Sequence, residues 1–406
     1  MLQKSTMTHD IVIIGAGIVG LSTAWQLLQK YPHKKVAVLE KEERVAAHQT
    51  SHNSGVIHAG VYYAPGSLKA QFCKEGAAAT KAFCQAHSIP FEECGKLLVA
   101  TNELELQRMN ALYERCQTND LEVHRLTQLE LKQREPNVIG KGALWVPSTG
   151  IVSYQRICDK LAELVMALGG EVHLATKVTG LSEDAASVSI QTDRGGFQAS
   201  YLISCGGLMA DRLTKMLGIE TDFQIVPFRG EYYHLSPHHN QIVNHLIYPI
   251  PDPDLPFLGV HLTRMIDGTV TVGPNAVQGW KREGYGKINV SLKDTAAMLS
   301  FPGYWHLIKD YWKIGLKETY NSWYKRGYLQ EVKKYCPTVQ LSDLEPYPAG
   351  IRAQAVMKDG KLVHDFLFAH SARTLHVCNA PSPAATSAFP IGKYIIHKLE
   401  QQLSEN

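Results

Sequence analysis

The first forty residues alternate between apolar runs and glycine-containing stretches. Residues 10–14 are mostly apolar and end at a glycine, a pattern typical of a buried parallel strand that runs into a tight turn. The stretch that follows is predicted to be a helix, and the apolar residues 36–39 are predicted to be a second strand. The chain therefore begins with a predicted strand–turn–helix–strand unit.

Further along, helical and strand-like patterns alternate without an internal repeat or a low-complexity tract. Ser67 precedes an apolar helical pattern and is predicted to cap that helix. The predicted helices span 67–87, 103–115, 154–168 and 390–403. The predicted strands span 96–100, 171–178, 187–192, 199–204, 224–228, 231–235 and 374–379.

The turn after the first strand carries the spacing GxGxxG. Gly15, Gly17 and Gly20 allow a tight turn, a close approach of the backbone to a pyrophosphate, and close helix packing. Glu40 ends the second strand, where a carboxylate accepts hydrogen bonds from ribose hydroxyls and disfavours the 2′-phosphate of NADP. The pattern predicts bound FAD or NAD. The alternative is a glycine-rich turn in an ordinary α/β domain, which does not require Glu40. The residues predicted to bind the cofactor here are Gly15, Gly17, Ile18, Val19, Gly20 and Glu40.

The order of elements predicts an α/β fold with a Rossmann-like dinucleotide-binding domain that is interrupted twice. Residues 1–90, 148–222 and 343–406 are assigned to this domain. Residues 91–147 and 223–342 are assigned to a discontinuous second domain, built on a mainly antiparallel sheet.

Composition narrows the functional classes. The chain has 406 residues, 45% of them hydrophobic and 19% charged, which is ordinary for a globular protein with room for two cores and argues against disorder. Its formal net charge of +3 favours neither nucleic acid nor strongly acidic partners. The eight cysteines form no CxxC pair and lack zinc-type histidine spacing, so no metal site is predicted.

The same cysteines suit free thiols in a reducing compartment. The residues before Asp10 resemble neither a signal peptide nor a clear transit peptide, and the longest apolar stretch, 11–25, is too short and too broken to span a bilayer. We therefore expect a cytoplasmic protein whose contact with a membrane, if it has any, is peripheral.

A polar loop follows Glu40. Within residues 48–63 it offers hydroxyl, amide and exposed backbone donors suited to a pyrophosphate and to ring carbonyls. The alternative is a polar turn that hydrogen bonds to itself. The candidates are Thr50, Ser51, Asn53, Ser54 and Gly55.

Several long strings carry a family resemblance. The GAGIVG turn with Glu40, the segment 203–207 (ISCGG) and the segment 349–352 (AGIR) resemble the D-amino-acid-oxidase-like FAD oxidoreductases over essentially the whole chain. The strings HQTSHNSGVIHAGVYYAPGSLKAQFC, VPFRGEY, PIPDPDLPFLGVHLTRMIDG, GPNA and CNAPSPAATSA resemble the L-2-hydroxyglutarate oxidases, also called dehydrogenases. This resemblance implies FAD, oxidation of L-2-hydroxyglutarate to 2-oxoglutarate by hydride transfer to flavin, and electron transfer to a quinone or another acceptor.

Such a reaction needs a cation for the substrate carboxylate. Arg352 matches the substrate arginine of the amine and hydroxy-acid members and is the first candidate. It is expected to contact both the substrate and the cofactor. The alternative is an ordinary ion pair at the surface. Arg229 either holds the distal carboxylate or pairs with Glu231 or another neighbour in the sheet.

The reaction also needs a base for the hydroxyl proton, and histidine is the natural residue type. His261, on a predicted strand of the second domain, and His58, in the loop expected to pass the flavin, are the candidates, and the sequence leaves both open. His261 is also a candidate for contact with substrate. Some relatives attach flavin covalently through a histidine in a similar loop, so His58 carries that alternative, with non-covalent FAD as the default.

Two further regions are expected near the cofactor. The loop of residues 383–388 leads into the last helix, whose positive end is suited to negative charge on the reduced flavin; its candidates are Ala384, Ala385, Thr386 and Ser387. Val178 is expected at the adenine, and Gly206 and Gly207 let the chain pass close to the cofactor. These three positions suit plain packing equally well.

Residues 278–336 concentrate aromatic and basic side chains. The segment holds four of the six tryptophans and has 11 Lys and Arg against 5 acids. Tryptophan and lysine on amphipathic helices suit a peripheral membrane surface, which a quinone acceptor requires, and suit a cap domain or a subunit interface as well.

Two other functions stay open at this stage. One is an amine, amino-acid or glycerol-phosphate oxidoreductase on the same fold. The other is a flavoprotein that docks to a membrane or a partner, with FAD in a structural role. The sequence leaves the electron acceptor and the oligomeric state undetermined.

Overall fold

The computed structural model describes residues 7–253 and 258–405. Residues 1–6, 254–257 and 406 lie outside the described part, and with them most of the short segment before Asp10 and four residues of the string PIPDPDLPFLGVHLTRMIDG.

The described helices are α1 (Ile18–Lys30), α2 (Leu68–Ala86), α3 (Glu103–Thr118), α4 (Gln128–Arg134), α5 (Tyr154–Ala167), α6 (Ala210–Met216), α7 (Leu292–Leu299), α8 (Pro302–Trp323), α9 (Lys325–Lys333) and α10 (Ala388–Glu405). Short 3₁₀ helices span Gly207–Met209, Pro237–His239 and Leu341–Asp343. The described strands are β1 (Met7–Ile14), β2 (Val36–Leu39), β3 (Val56–Ile57), β4 (Phe91–Glu92), β5 (Lys96–Ala100), β6 (His124–Thr127), β7 (Gly142–Val146), β8 (Gly150–Val152), β9 (Glu171–His173), β10 (Val178–Glu183), β11 (Val188–Thr192), β12 (Gly195–Ser204), β13 (Phe223–Leu235), β14 (Leu246–Pro249), β15 (His261–Arg264), β16 (Val270–Gly273), β17 (Val277–Gln278), β18 (Leu344–Met357), β19 (Leu367–His370) and β20 (Thr374–Asn379).

The first sheet has a parallel centre. Strand β1 lies between β12 and β2, β2 pairs with β9, and the last residues of β12 pair with β20, all in parallel. The first residues of β12 pair instead with the antiparallel hairpin of β10 and β11. The carboxyl ends of the parallel strands therefore meet at one edge, where an open α/β sheet binds its ligands.

Alternation along β1 explains how this sheet is covered. Ile11 and Ile13 pack with apolar residues of α1, α5 and α10, whereas Val12 and Ile14 pack with residues of β10, β11, β12 and α6. Both faces of β1 are thus buried, as expected for a strand in the parallel centre of a sheet. The doubly wound α/β class and the mainly antiparallel second sheet agree with the predicted fold.

In the second sheet the strands β13-β16-β15-β14-β5-β7-β6 are neighbours in this order. Strand β17 pairs with the same edge of β13 as β16 does, and β18 pairs with the other edge. All pairs are antiparallel except β14 with β5. The long β13–β18 ribbon places Phe228 opposite Arg352 and Gly230 opposite Gly350. A third, small sheet joins β3, β8 and β4.

Three predicted boundaries differ from the structure. Strand 171–178 is broken after His173, where Ala175 takes a positive φ of 49° and the chain turns before β10 begins. The predicted strands 224–228 and 231–235 are one strand, β13, with a register shift between Gly230 and Tyr232. The first domain was expected to resume at 343, yet β18 belongs to the second sheet because it pairs along almost all of β13.

A buried ion pair joins the first domain to the segment 278–336. Arg282 donates to the carboxylate of Asp211 on α6, with one contact at 2.8 Å, and to the carbonyl oxygen of Leu208 at 2.8 Å. Asp211 Oδ2 also accepts the backbone N–H of Ile225 at 3.2 Å. Because both charged groups are almost fully buried, loss of either partner would leave an uncompensated charge at this junction.

Other predictions hold locally. Ser67 accepts a hydrogen bond from the backbone N–H of Ala70 and so caps α2. All eight cysteines are free thiols. No helix among the described residues combines the length and the apolar character needed to cross a membrane.

Candidate active site

The site begins at the turn between β1 and α1. A Cβ added to Gly15 would lie 2.6 Å from the carbonyl oxygen of Cys205, and one added to Gly20 would lie 2.0 Å from the carbonyl oxygen of Gly15. Gly15 also has a positive φ of 102°. At Gly17 the nearest atom to an added Cβ is Thr50 Oγ1, at 3.4 Å. Two of the glycines are therefore required by backbone packing, whereas Gly17 keeps the surface beside the cavity bare.

Glu40 holds this turn in place. Its Oε2 accepts the backbone N–H of Ala16 at 2.9 Å, and its Oε1 accepts that of Glu42 at 3.0 Å. The side chain is buried, yet Glu40 lines the same cavity as the glycine turn. Each carboxylate oxygen has a second lone pair, so Glu40 can also accept hydrogen bonds from ribose hydroxyls.

Part of the loop after Glu40 lines the cavity, and part of it hydrogen bonds to itself, so both predicted alternatives apply. Thr50 Oγ1 accepts the backbone N–H of Ile18 at 3.2 Å, so it stands at the N-terminus of α1. Asn53 donates to the carbonyl oxygens of Gln49 and Thr50, and Ser51 donates to that of Ala46, as in a turn that hydrogen bonds to itself. Thr50, Asn53 and Ser54 line the cavity, whereas Ser51 and Gly55 are not among its lining residues in the described part of the chain.

The turn before α10 forms the opposite wall. Thr386 Oγ1 accepts the backbone N–H of His58 at 3.2 Å and lies 2.9 Å from the hydroxyl of Tyr154, which ties the turn to two other elements. Ala384, Ala385 and Thr386 line the cavity. Ser387 is fully buried and is not among the described lining residues. The positive end of the α10 dipole therefore lies beside the cavity.

Val178, Gly206 and Gly207 also line it. A Cβ on Gly206 would lie 2.3 Å from the side chain of Leu213, and Gly207 has a positive φ of 49°. Backbone geometry therefore favours glycine at 207 independently of any cofactor, and the end of the Leu213 side chain would have to move to admit a side chain at 206.

Arg352 reaches the cavity from the second sheet. It lies on β18 opposite Phe228, next to the wall residues Tyr232 and Gly350. Burial lowers its pKa from the ordinary value, an effect partly opposed by the phenol groups of Tyr232 and Tyr248. A guanidinium that lines the cavity can bind an anionic ligand, because a carboxylate accepts two parallel hydrogen bonds from it.

His261 lies on β15 of the same sheet and also lines the cavity. Its Nδ1 is 3.1 Å from the carbonyl oxygen of Gly259, and its ring stacks on Tyr248 with centroids 3.9 Å apart. A carbonyl oxygen only accepts, so the neutral ring carries its proton on Nδ1 and leaves Nε2 as an acceptor. Burial lowers the pKa of His261 to about 3, an effect to which the positive charges of Arg352 and Lys96 add.

His58 faces the same cavity from the loop side. Burial lowers its pKa well below the usual value, and the charges of Lys96, His261, Lys69 and Arg352 act in the same direction. The fold thus brings His58, His261 and Arg352, which are far apart in sequence, to one cavity.

Arg229 forms the second of its two predicted interactions, a pair with Glu231. Its guanidinium donates to Glu231 and, at 3.3 Å, to the carbonyl oxygen of Tyr285. It is not among the described residues that line the cavity. The structure therefore shows the ion pair with its sheet neighbour.

Sequence reasoning missed several groups at this site. Tyr62, Tyr63, Lys69, Tyr232 and Tyr248 line the cavity without having been singled out. A fully buried lysine, Lys96, lies behind two of these rings, with its Nζ 4.8 Å and 5.1 Å from the ring centroids. The sequence signal that could have identified Lys96 is its position at the start of β5, which is otherwise apolar.

Together these residues surround one cavity of about 1310 Å³ that runs from the glycine turn to the second sheet. The volume exceeds the range of about 300–1,000 Å³ usual for small-ligand sites, as suits a dinucleotide together with a substrate. The bare surface at Gly17, the N-terminus of α1 and the carboxylate of Glu40 fit the pyrophosphate and ribose of FAD.

Comparison with known proteins agrees with this geometry. A family model described as FAD dependent oxidoreductase matches residues 10–398. An L-2-hydroxyglutarate dehydrogenase of Escherichia coli is 59% identical over 397 residues, covering 98% of this chain and 94% of that protein. The protein of the same name from Salmonella houtenae is 57% identical, covering 97% of this chain and 93% of its own.

The chain belongs to the L-2-hydroxyglutarate dehydrogenase family. As a member, it is an FAD-dependent oxidoreductase. Among solved structures it is similar to an L-α-glycerophosphate oxidase from Mycoplasma pneumoniae with FAD bound, with a TM-score of 0.79 at 23% identity, covering 97% of this chain and 95% of that one. At that identity the likeness shows the fold alone, which the L-2-hydroxyglutarate dehydrogenase family shares.

Glu40 provides a test of the cofactor end of the site. We expect Glu40→Ala to lower the flavin content of the purified protein and to destabilise it by about 1–3 kcal/mol, since the N–H groups of Ala16 and Glu42 lose a buried charged acceptor. The measurements are the flavin-to-protein ratio after gel filtration and the urea midpoint. Glu43→Ala, at an exposed neighbouring position, is the matched control. Full flavin content in Glu40→Ala would remove Glu40 from the ribose site.

Proposed function

We propose that this protein oxidises L-2-hydroxyglutarate to 2-oxoglutarate with FAD as cofactor and passes the electrons to a quinone or another acceptor. The observation that carries the proposal is the meeting of Arg352 and His261 in the cavity that begins at the glycine turn. The names of the relatives supply the substrate.

In this proposal Arg352 holds the carboxylate next to the reacting carbon. A planar guanidinium binds a carboxylate through two parallel hydrogen bonds, which fixes both position and orientation. Its place on the long β13–β18 ribbon makes it a rigid support. Orientation of this kind supports the chemical step as well as binding, since the C2 hydrogen must point at the electron acceptor.

His261 takes the proton of the C2 hydroxyl. The hydrogen bond from Nδ1 to the Gly259 carbonyl sets the tautomer, and stacking on Tyr248 sets the ring plane, so Nε2 is a defined acceptor. His58 is the alternative base and contributes its backbone N–H to the turn before α10. Bound FAD supplies the acceptor for the two electrons that leave C2.

In this proposal Gly17, Thr50 and Glu40 would hold the nucleotide half of FAD, and the positive end of α10, next to Ala384, Ala385 and Thr386, would stabilise negative charge on the reduced ring system. FAD is held non-covalently in this proposal, with attachment through His58 as the alternative.

A second proposal concerns the surface of α8. Its exposed apolar residues recur at spacings of three or four, which places them on one helical face. They are Trp305, Ile308, Trp312, Leu316, Tyr320 and Trp323. Trp305, Leu316 and Trp323 are 56%, 62% and 57% exposed. The buried residues Tyr304 and Leu307 anchor the opposite face to the second domain.

We propose that this face, here called the α8 surface, binds an anionic phospholipid surface peripherally. Lys309, Lys313 and Lys317 are exposed beside the apolar face, as expected for contact with anionic headgroups. Such binding would bring the enzyme to the inner face of the cell membrane, where a quinone is available as acceptor.

An anaerobic titration tests the proposed substrate. We expect L-2-hydroxyglutarate to bleach the visible band of the bound flavin stoichiometrically, while the D enantiomer leaves it oxidised. Reduction of the flavin by amino acids or by glycerol 3-phosphate instead would identify a different substrate. A flavin that no metabolite reduces would indicate a docking flavoprotein.

The pH profile tests the role of His261. Since the lowered pKa keeps the imidazole neutral throughout, we expect kcat/KM to stay level between pH 7.5 and 5.5, where a base of pKa about 6.5 would lose about tenfold. His261→Asn should lower kcat by about 10²–10⁴-fold with flavin retained. If His58→Asn shows this loss and His261→Asn does not, the base is His58.

Vesicle flotation tests the α8 surface. We expect the protein to float with vesicles that contain anionic phospholipid and to float less with neutral vesicles. The variant Trp305→Ser/Trp312→Ser/Trp323→Ser should lose most of this binding, while Leu129→Ser, which removes a 68% exposed leucine on α4, should keep it. A wild-type protein that stays at the bottom of the gradient overturns the membrane proposal.

A further inference from the structure

Besides Arg352, the cavity wall carries another cation to which the proposed reaction gives no part. Lys69, near the start of α2, lines the cavity together with Arg352. Its Nζ donates to the carbonyl oxygen of His364 at 3.2 Å and lies 5.0 Å from the centroid of the Tyr63 ring. A lysine ammonium has three donors, so two remain for a ligand after the contact with His364.

Electrostatics place Lys69 beside Arg352. The charge of Arg352 lowers the pKa of both Lys69 and His261, so Arg352 is within electrostatic reach of each. Burial is the main cause of the lowered pKa of Lys69, about 8, and the carboxylate of Asp365 opposes it. Lys69 on α2 and Arg352 on β18 therefore line the same cavity from two different elements.

Other basic residues that line the cavity have acidic partners or are exposed: Lys41 pairs with Glu42 and Glu283, Arg212 pairs with Asp294, and Lys177 and Lys293 are exposed. Two basic residues outside the lining also have other contacts. Arg229 is paired with Glu231 and with the Tyr285 carbonyl. Lys96 is fully buried behind Tyr62 and Tyr248 and is not among the described lining residues. Lys96 therefore adds to the positive field, whereas Lys69 can contact a ligand directly.

We infer that Lys69 binds the carboxylate that lies farther from the reacting carbon, and so selects dicarboxylates of the 2-hydroxyglutarate type over 2-hydroxy monocarboxylates. The inference rests on the proposed function. Arg352 and Lys69 are two cations in one cavity, and a ligand with two negative charges neutralises both. A monocarboxylate leaves Lys69 without a counter-ion from the ligand, which makes its burial more costly.

The test compares binding of two ligands to the holoenzyme by calorimetry. They are 2-oxoglutarate and 2-oxopentanoate, which have the same chain length and differ in the distal carboxylate. We expect Lys69→Met to weaken the binding of 2-oxoglutarate about 10–100-fold and the binding of 2-oxopentanoate less than about twofold. The reason is that only 2-oxoglutarate loses a hydrogen bond between charged groups. Lys69→Arg should recover most of the loss.

Lys74→Met is the matched control, because Lys74 lies on the same helix and pairs with Asp120 at the surface; it should leave both affinities unchanged. The inference is overturned if wild-type protein binds both ligands equally, if Lys69→Met weakens both alike or neither, or if Arg229→Met alone shows the selective loss. Failure of L-2-hydroxyglutarate to reduce the flavin would instead overturn the proposed reaction, a result read separately from these affinities.

Discussion

Close contact between the ends of β1 and β12 is the constraint on which the cofactor site depends. Only a hydrogen at the α-carbon of Gly15 lets the turn pass the carbonyl oxygen of Cys205, and only glycine at position 20 lets α1 approach the turn itself. Glu40 then holds the turn by accepting the N–H of Ala16. This packing brings the N-terminus of α1, the carboxylate and the bare surface at Gly17 to one edge of the sheet, where a dinucleotide binds.

The substrate half of the cavity depends on a different kind of element. The long β13–β18 ribbon carries Arg352 to the edge where the nucleotide half ends, while β14 and β15 bring Tyr248 and His261 to the same wall. The buried pair of Arg282 and Asp211 links the two parts. Reacting groups on paired strands keep their spacing better than groups on free loops, which suits a reaction that requires an aligned C–H bond.

The wall of this half is rich in positive charge. Arg352 and Lys96 act on both His58 and His261, and Lys69 acts on His58; burial strengthens each effect because little water screens it. Burial, with this field in addition, lowers the pKa of both imidazoles and so keeps them neutral, and the field favours anionic ligands. The α8 surface has its charge at the exterior, beside apolar side chains that the fold leaves exposed, so its proposed role concerns location and electron transfer, separate from the choice of substrate.

The sequence alone determined what local chemistry can encode. The spacing of Gly15, Gly17 and Gly20 and the position of Glu40 require neighbouring strands in a known order, so the nucleotide half of the site was predictable. Half of the described helices and fewer than half of the described strands followed from their periodicity, and Ala175 interrupts one predicted strand through its positive φ.

Tertiary structure decided the substrate half of the site, because that half depends on pairing between segments that are distant in sequence. Whether Arg229 met a ligand or Glu231 was undecided until β13 was placed, and Arg229 is paired with Glu231. The assignment of β18 to the second sheet follows from its register with β13. The fold places Lys69 at the wall of the cavity that Arg352 also lines and buries Lys96 close enough to act on His261, and neither follows from sequence, since a lysine in sequence carries no record of the charges that will surround it.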